Sequence, residues 1–450
     1  MRLLSALFVL AAAAPVAQGP PVFNSFASVE LTLEAPLQRL FDKGIEDEQF
    51  SVPGVLSYRD GTNGRDVTIP DVEVSVRGHT SRREIECSFP KLKLKFRNAG
   101  ARDASMFAGL SGLRIGSHCG ENPDEQLTPK YGRLANEKSP WREAFVYRAL
   151  HLAGVPTLAA RPARITYVDK DAGRGPLVRN AILLETDEDV TRRLDGTREI
   201  KEEEFTSARD QFTAADTVTI AFGEAMVGNF DWCLRFFPGD AYRCDAHRPL
   251  WNVMAIARGD RRAVPVPADF DLAGMVVGRH PWFGKVYNLD VVPSRSSIDV
   301  EVLSQVQRTR SLFTRAELDE GRRHFLERRG AIYAALEEAP LDPHGRELAR
   351  QHLDAFYGAI ENDASFYRPV VVKPDVRVYV DAAKTREACA AADTLLPGTP
   401  VREVRRDGGM AEVAILDARW HWAPPASCPA VQSGTVWIDA SALSTNYPQQ

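Results

Sequence analysis

The chain has 450 residues, of which 44% are hydrophobic and 26% are charged, and its formal net charge at pH 7 is −5. This composition is typical of a soluble globular protein with one large domain or a few ordinary ones. The acidic balance argues against a general nucleic-acid-binding surface, so no nucleic-acid partner is expected.

Residues 1–19 predict a secretory signal peptide. Arg2 precedes an apolar run from Leu3 to Ala14, and small residues follow it. The run is too short for a bilayer, and no other run of about 18 apolar residues occurs, so no transmembrane segment is expected. The expected location is secreted or periplasmic, in a bacterial envelope.

An exported chain with six cysteines is expected to form disulfides. Pairing sequence neighbours gives Cys87–Cys119, Cys233–Cys244 and Cys389–Cys428. Because six cysteines allow about 15 connectivities, this pairing is a preference and not a deduction.

Two strands with a basic segment between them are predicted in the N-terminal part. Alternating valines at 72, 74 and 76 predict a half-buried strand that leads into Arg77-Gly-His-Thr-Ser-Arg82. In the next strand three lysines face away from Leu92, Leu94 and Phe96. They are Lys91, Lys93 and Lys95. Such a face suits nucleotide phosphates, which one strand lysine contacts in kinase-like sites. A solvated edge strand blunted by lysines is the other interpretation.

A helix is predicted to start at Ser139-Pro140, with the serine as N-cap and the proline in the first turn. Glu143 lies in the first turns of this helix. Its carboxylate either complements the helix dipole or pairs with a strand lysine, as in kinase folds. Two further strands are predicted at Arg164–Tyr167 and Ala181–Glu185.

The stretch that carries the candidate catalytic and metal-binding residues begins with another predicted helix. Thr213 followed by Asp216 predicts a capping box at its start, and Gly228 predicts its end. Asn229 and Asp231 follow directly.

An extended arm with alternating valine and proline follows at Val264–Pro267, and its prolines favour an edge strand. The arm ends in Asp269-Phe270-Asp271. Two carboxylates two positions apart after an extended segment can hold a hard cation such as Mg²⁺, together with substrate phosphates. The same residue types also serve in turns and helix caps.

The ordered series RGHTSR, PKLKLKF, Asn229-Phe-Asp231, Asn252 and Asp269-Phe-Asp271 resembles the CotH kinase-like family, the spore-coat protein H group of atypical protein kinases. The usual family pattern has RGNSSR and a Lys-Lys pair. This chain has His79 in the first motif and lacks the pair, which leaves the phosphate-contacting lysine open.

The resemblance implies a nucleotide site with Mg²⁺ and ATP as cofactors. The catalytic residues that it implies are Asp231 and, as the favoured phosphate lysine, Lys93. The other expected nucleotide-binding residues are Lys91, Lys95, Arg77, Arg82 and Glu143. The expected metal ligands are Asp269, Asn252 and Asp271.

The segment from Ile298 to Asn362 is predicted to be mainly helical, with helix starts at Thr314 and Asp342-Pro343. Residues 369–375 are predicted to be a linker. Four short strands are predicted beyond it, at Val376–Val380, Thr399–Val404, Met410–Ile415 and Val436–Asp439. This part resembles a bacterial SH3-like domain, which implies binding to cell wall or to a protein or cell-envelope partner.

The predicted fold class is α+β. An atypical protein-kinase-like (CotH-like) domain spans 20–368, and a small all-β SH3-like barrel spans 376–446. Within the first domain, a β-rich part is expected at 20–185 and a helical part at 205–365.

Three functions remain open, and enzymatic activity is not settled by the sequence. The first is an exported kinase-like phosphotransferase that uses Mg-ATP to phosphorylate a protein or envelope component, although ATP is scarce outside the cytoplasm. The second is a non-catalytic, pseudokinase-like envelope binding protein, against which stands the presence of every acidic position that phosphotransfer needs. The third is a metal-dependent hydrolase using His118, His247 and the aspartates, although no HExxH-type spacing exists.

Overall fold

The computed structural model describes residues 20–84, 86–121, 124–171, 173, 175–205, 209–234, 249–278, 298–389, 394–416, 428 and 434–447. The predicted signal peptide at 1–19 lies outside the described residues, as do Cys244 and His247.

The N-terminal part forms a closed seven-stranded barrel. Its strands are β1 (Val29–Ala35), β2 (Ser51–Arg59), β3 (Asp66–Val76), β4 (Leu92–Phe96), β5 (Gly112–Ser117), β6 (Ala160–Asp169) and β7 (Leu177–Leu184). They follow the order β1-β2-β3-β4-β5-β7-β6, and the parallel pair of β1 with β6 closes the ring. The sequence predicts strands at the positions of β3, β4, β6 and β7, but not the long-range pair that closes the barrel.

Strand alternation sorts the β4 side chains between the barrel interior and its outer surface. Leu92, Leu94 and Phe96 are buried in the barrel core, whereas Lys93 and Lys95 are exposed. Burying each apolar side chain contributes roughly 1.5–3 kcal/mol, so a one-residue slip of register would be costly.

The described α-helices pack against two different cores. They are α1 (Leu37–Gly44), α2 (Ala99–Asp103), α3 (Ser139–Leu152), α4 (Asp187–Arg193), α5 (Ala214–Val227), α6 (Gly274–Val277), α7 (Ile298–Thr309), α8 (Arg315–Glu338), α9 (Pro343–Ile360) and α10 (Asp363–Phe366). Helices α1 and α2 contribute to the barrel core, and the larger helices to a second hydrophobic core, which joins α3 and the outer face of β7 to α5, α8 and α9. Helix α3 therefore connects the barrel to the helical part.

The predicted helix starts are largely confirmed. The hydroxyl of Thr213 accepts a hydrogen bond from the Asp216 amide, Thr314 forms a capping box with Glu317, and Asp342 caps α9. The prediction for α3 is wrong by one residue: Ser139 is its first helical residue and Lys138 occupies the cap without a side-chain bond.

Two small sheets carry the segment that follows α5. Their strands are β8 (Gly196–Ile200), β9 (Cys233–Leu234), β10 (Leu250–Trp251), β11 (Val253–Arg258) and β12 (Ala263–Pro267). The proline-bearing β12 lies at the edge of the sheet β12-β11-β8, as its sequence predicts. The pairing of β9 with β10 brings the chain after α5 back beside the start of β11.

The C-terminal part has its own hydrophobic core. Its strands are β13 (Val370–Val371), β14 (Val401–Asp407), β15 (Met410–Ile415), β16 (Val436–Asp439) and β17 (Leu443–Ser444). Three predicted strands are confirmed, but Val376–Val380 forms only isolated bridges, to Leu395 from Val376 and to Glu387 and Trp437 from Tyr379.

The segment 369–375, predicted to be a linker, contributes a strand of its own. Val370 and Val371 are buried and pair with Leu443–Ser444, because two adjacent apolar side chains gain more from this core than from solvent. Arg310, which directly follows α7, also donates to the carbonyl oxygens of Arg368 and Thr445. None of the helices in the described parts of the chain combines the length and hydropathy that a bilayer-spanning segment requires.

Two of the three expected disulfides, Cys87–Cys119 and Cys389–Cys428, are formed. The third expected pair includes Cys244, which lies outside the described residues.

We expect the double variant Cys389→Ser/Cys428→Ser to destabilise the C-terminal part selectively. The bridge closes a loop with a sequence separation of 39, for which loop-closure entropy gives about 4 kcal/mol. Hydrogen exchange should therefore lose protection in β14, β15 and β16 and keep it in the barrel. Cys87→Ser/Cys119→Ser is the matched control and should show the reverse pattern. Equal loss of protection in both parts would contradict the separate core.

Candidate active site

A buried lysine joins the barrel to the segment that follows β12. Lys91 immediately precedes β4, and its Nζ lies 3.2 Å from Asp269 Oδ1 and 2.8 Å from Asp271 Oδ2. The Asp269 side chain is 46% exposed, whereas that of Asp271 is 7% exposed. Asp269 is therefore accessible to a ligand, whereas the buried Asp271 holds the lysine from the protein interior.

A second buried cation supports Asp271. Arg133 Nε donates to Asp271 Oδ2 at 2.8 Å, and its Nη2 donates to Thr80 Oγ1 at 2.7 Å. Its Nη1 lies 3.3 Å from Glu86 Oε2. Although burial raises the pKa of Asp271, Arg133 and Lys91 hold that pKa far below its usual range. Asp271 therefore stays ionised and anchors both cations.

Glu143 of α3, whose role the sequence left open, is near the same lysine. It is buried and interacts electrostatically with Lys91, Asp269 and Asp271. Burial raises the pKa of Glu143 to about 7, against the attraction of Lys91. Burial alone would lower the pKa of Lys91, but Asp269, Asp271 and Glu143 together raise it. The lysine is thus charged, and the glutamate can exchange a proton near neutral pH.

The backbone at the two expected metal ligands is left-handed. Asn252 has φ 52° and Asp269 has φ 61°, a region that non-glycine residues rarely enter. Two hydrogen bonds hold the backbone at Asp269. The Asp269 N–H donates to the Tyr147 hydroxyl at 3.0 Å, and the Ala268 N–H donates to the Asn252 carbonyl at 2.9 Å. Non-glycine residues in such conformations cluster at functional sites.

Asp231 reaches this region through the β9–β10 pair. Trp251 Nε1 donates to its Oδ1 at 3.1 Å, and Asn252 Nδ2 donates to its Oδ2 at 3.1 Å. Asn252 Nδ2 also lies 2.6 Å from the Asp231 carbonyl oxygen, across a sequence separation of 21. Since Asn252 is bonded through its backbone to Ala268, these contacts bring Asp231, Asn252 and Asp269 into one patch.

A buried acid supports the turn that carries Asp231. Asn229 accepts a hydrogen bond from the Asp231 amide at 3.0 Å, and its Nδ2 donates to Glu224 Oε2 at 2.9 Å. Glu224 and Asn229 are fully buried, and burial raises the pKa of Glu224 well above its ordinary value. A neutral carboxyl group therefore holds the asparagine that orients the turn.

The remaining expected phosphate ligands divide into two groups. Register places Lys93 opposite Arg114 and opposite Ser75, and the Arg77 amide donates to the Lys91 carbonyl. Arg77, Lys91, Lys93 and Arg114 thus share the outer face of three adjacent strands. Within the described residues, Arg77 Nε is buried without a hydrogen-bond partner.

The other two expected phosphate ligands, Lys95 and Arg82, are not part of the group around Lys91. Lys95 is exposed further along β4, opposite Glu73. Arg82 is paired with Glu48 at 3.0 Å. Of the three strand lysines, the structure therefore brings Lys91 to the aspartates.

The oxygen atoms left available suit a hard cation. Within the described residues, Asp269 Oδ2 and Asn252 Oδ1 accept no hydrogen bond, while Lys91 already neutralises the acidic pair as a bound cation would. Carboxylate and amide oxygens are the ligands that Mg²⁺ prefers, and it normally keeps water and substrate phosphates as further ligands. No group of three or more His, Cys, Asp or Glu side chains in the described chain is arranged to hold a metal by itself.

Several residues of the site carry no motif that the sequence analysis used. Arg133, Tyr147 and Trp251 are distant in sequence from the groups with which they form hydrogen bonds, and Arg114 interacts electrostatically with the equally distant Asp269. His118 hydrogen-bonds with Gly120 and Arg179, away from the aspartates described above. The structure thus gives the hydrolase hypothesis no support from this histidine.

Comparisons with known proteins give little further information. No family model matches the chain, and no curated protein matches it. Among solved structures, the crystal structure of the Helicobacter pylori proinflammatory kinase CtkA is similar at 10% identity and a TM-score of 0.31, covering 64% of this chain and 92% of that one. A likeness so distant carries no argument about function. The resemblances to the CotH kinase-like family and to SH3-like domains stay predictions from sequence motifs.

We expect Glu143 to make stability depend on pH between about 4.5 and 7, because its pKa rises from 4.5 to about 7 on folding. Below this window both states are protonated. Within it only the folded state keeps the proton, so the free energy of unfolding falls as pH rises, by on the order of 1 kcal/mol per pH unit. Above it the contribution is constant.

Glu143→Gln should flatten this part of the curve, measured as the free energy of urea unfolding at each pH. The exposed Glu137→Gln on the neighbouring segment is the control and should follow the wild type. Parallel curves for wild type and Glu143→Gln would contradict the assignment.

Proposed function

We propose that the protein is an exported kinase-like phosphotransferase that uses Mg-ATP to phosphorylate a protein or an envelope component. One observation carries the proposal: Lys91 is held by Asp269 and Asp271, and Ala268, the residue before Asp269, is hydrogen-bonded to Asn252, which in turn contacts Asp231. Phosphoryl transfer requires a cation on the phosphate oxygens, metal-binding oxygens, and a carboxylate aimed at the acceptor hydroxyl. Three separate parts of the chain supply side chains of the kinds that these requirements call for.

The nucleotide phosphates would lie on the cationic face of β3, β4 and β5. Lys91 binds phosphate oxygens there, and Arg77 and Lys93 lie on the same face with capacity for further contacts. Asp269 and Asn252 would hold Mg²⁺ through the oxygens that remain available. When bound, Mg²⁺ would supply positive charge that offsets the negative charge of the phosphate oxygens.

Asp231 would orient the acceptor and receive its proton. As the bond from the acceptor oxygen to the γ-phosphorus forms, the bond from that phosphorus to the β-γ bridging oxygen breaks, and ADP leaves. The acceptor proton passes to the Asp231 carboxylate. Its two oxygens are oriented by Trp251 and Asn252, so little reorganisation is needed at that step.

The first expected outcome is Mg²⁺-dependent nucleotide binding that requires Asp269 and Lys91. Titration of ATP with and without Mg²⁺ should show tighter binding with the metal, and Asp269→Asn should remove that difference while keeping a residue that tolerates the left-handed backbone. Lys91→Met should weaken ATP binding by at least about tenfold, the usual range for a charge-assisted hydrogen bond.

Lys93→Met is the matched control for the second variant, since Lys93 is exposed and makes no contact with the aspartates. An effect of Lys93→Met that exceeds that of Lys91→Met would reverse the assignment of the phosphate lysine. Absence of any binding at millimolar Mg-ATP would contradict the proposed function.

The second expected outcome separates binding from turnover. Asp231→Asn should leave the ATP affinity unchanged and lower the rate of phosphoryl transfer by about 10²–10⁴-fold, the usual contribution of a positioned general base. Transfer from γ-labelled ATP to envelope extract and to the protein itself would measure it. If the wild type binds nucleotide and shows no transfer in either assay, the non-catalytic alternative replaces the enzyme.

A further inference from the structure

A cavity of about 540 Å³ lies at one end of the barrel, between α1, the end of β6, the start of β7 and the segment around Cys87. None of the residues assigned above to the phosphate, metal or acceptor groups lines it. Its volume is that of a small-molecule site. The residues on which the following argument depends are Leu37, Phe41, Phe89, Tyr167, Leu177 and Arg179.

The walls of this cavity are aromatic. The rings of Phe41 and Phe89 are 5.1 Å apart in an edge-to-face arrangement, and those of Phe89 and Tyr167 are 4.7 Å apart. The Arg179 guanidinium lies 4.8 Å from the Phe89 ring centre. Such walls suit a flat apolar molecule, because aromatic pairs add to the energy of burying apolar surface.

Two polar atoms of the lining residues lack partners. Within the described residues, the Tyr167 hydroxyl and Arg179 Nε are buried without a hydrogen bond. Tyr167 is 2% exposed and Arg179 is 6% exposed. The rest of the guanidinium is engaged, since Nη1 contacts His118 and Nη2 contacts Glu121. An unmade hydrogen bond at a buried donor is unfavourable, and an oxygen atom of a ligand would satisfy it.

The rim of the cavity is apolar and exposed. Ile45 and Leu177 line the cavity, and they are 38% and 42% exposed, which places them among the few large exposed hydrophobic residues in the described chain. Exposed apolar groups around a concave site are typical of a binding surface.

The charges around the cavity disfavour an anion. Three acidic residues, Glu84, Glu121 and Asp169, line it together with the single cation Arg179. Asp169 accepts the amides of Leu37 and Gln38, both at 3.0 Å, and Arg179 is already paired with Glu121. An added carboxylate would meet uncompensated negative charge.

We propose that this cavity binds an uncharged aromatic molecule that carries an oxygen acceptor, with its ring against Phe41 and Phe89 and its oxygen at the Tyr167 hydroxyl. The proposal is independent of nucleotide binding.

The test uses prodan, a neutral naphthyl ketone whose fluorescence reports an apolar surrounding, with the full chain. Saturable binding is expected, with displacement by 2-acetylnaphthalene. Displacement by 2-naphthoate should be weaker. Equal displacement by the naphthoate would overturn the charge assignment, and absence of saturable binding would overturn the proposal.

Two variants locate the site. Tyr167→Phe should weaken 2-acetylnaphthalene by about three- to tenfold and leave naphthalene unchanged, because only the ketone uses the hydroxyl. Leu177→Glu should weaken both by about tenfold, since it places a charge at the apolar rim. Val404→Glu, at a similarly exposed position on β14, is the control and should change neither. Wild-type affinity in both Tyr167→Phe and Leu177→Glu would place the ligand elsewhere and overturn the proposal.

Discussion

The ion cluster around Asp271 is the interaction on which the site depends. Isolated charges in a protein interior are strongly unfavourable, and they persist only when they are paired and hydrogen-bonded. Asp271 meets this condition because it accepts from both Lys91 and Arg133. Lys91 belongs to the barrel and Asp271 to the segment after β12, so an ion pair joins these two parts of the molecule at the candidate site. Removing one partner would leave the others buried without compensation.

This cluster also explains how one site contains carboxylates in different protonation states. Asp271 is hydrogen-bonded to two cations and stays ionised, whereas Glu143 is equally buried, has no such bond within the described residues, and has its pKa raised to about 7 by burial. Burial raises the pKa of Glu224 well above its ordinary value, and its Oε2 accepts a hydrogen bond from Asn229. Burial and neighbouring cations, rather than residue type, thus give Asp271 a fixed charge and Glu143 a proton that titrates near neutral pH. They leave Glu224 with a structural role.

The sequence predicts local features well where a single physical rule decides them. Alternation predicts β4 and its exposed lysines, the capping residues predict α5 and α8, and the prolines predict an edge position for β12. It cannot choose among three lysines on one strand face, because that choice depends on where Asp269 and Asp271 arrive from 178 and 180 positions away. Closure of the barrel by β1 and β6, and the contributions of Arg133 and Trp251, likewise depend on contacts between distant segments. The domain boundaries and the residue roles in catalysis remain predictions.

The left-handed backbone at Asn252 and Asp269 restricts how these positions can evolve. Asparagine and aspartate enter this conformation more readily than other non-glycine residues, because their short polar side chains bond locally. Glutamate would keep the charge at 269 but strain the chain, and glycine would relax the chain but remove the ligand. Asparagine at 269 would keep the conformation but lose the charge, so aspartate alone meets every requirement there. In a diverged relative, therefore, an aspartate at the position of 269 together with an asparagine or aspartate at the position of 252 would be a better sign of a retained site than overall similarity.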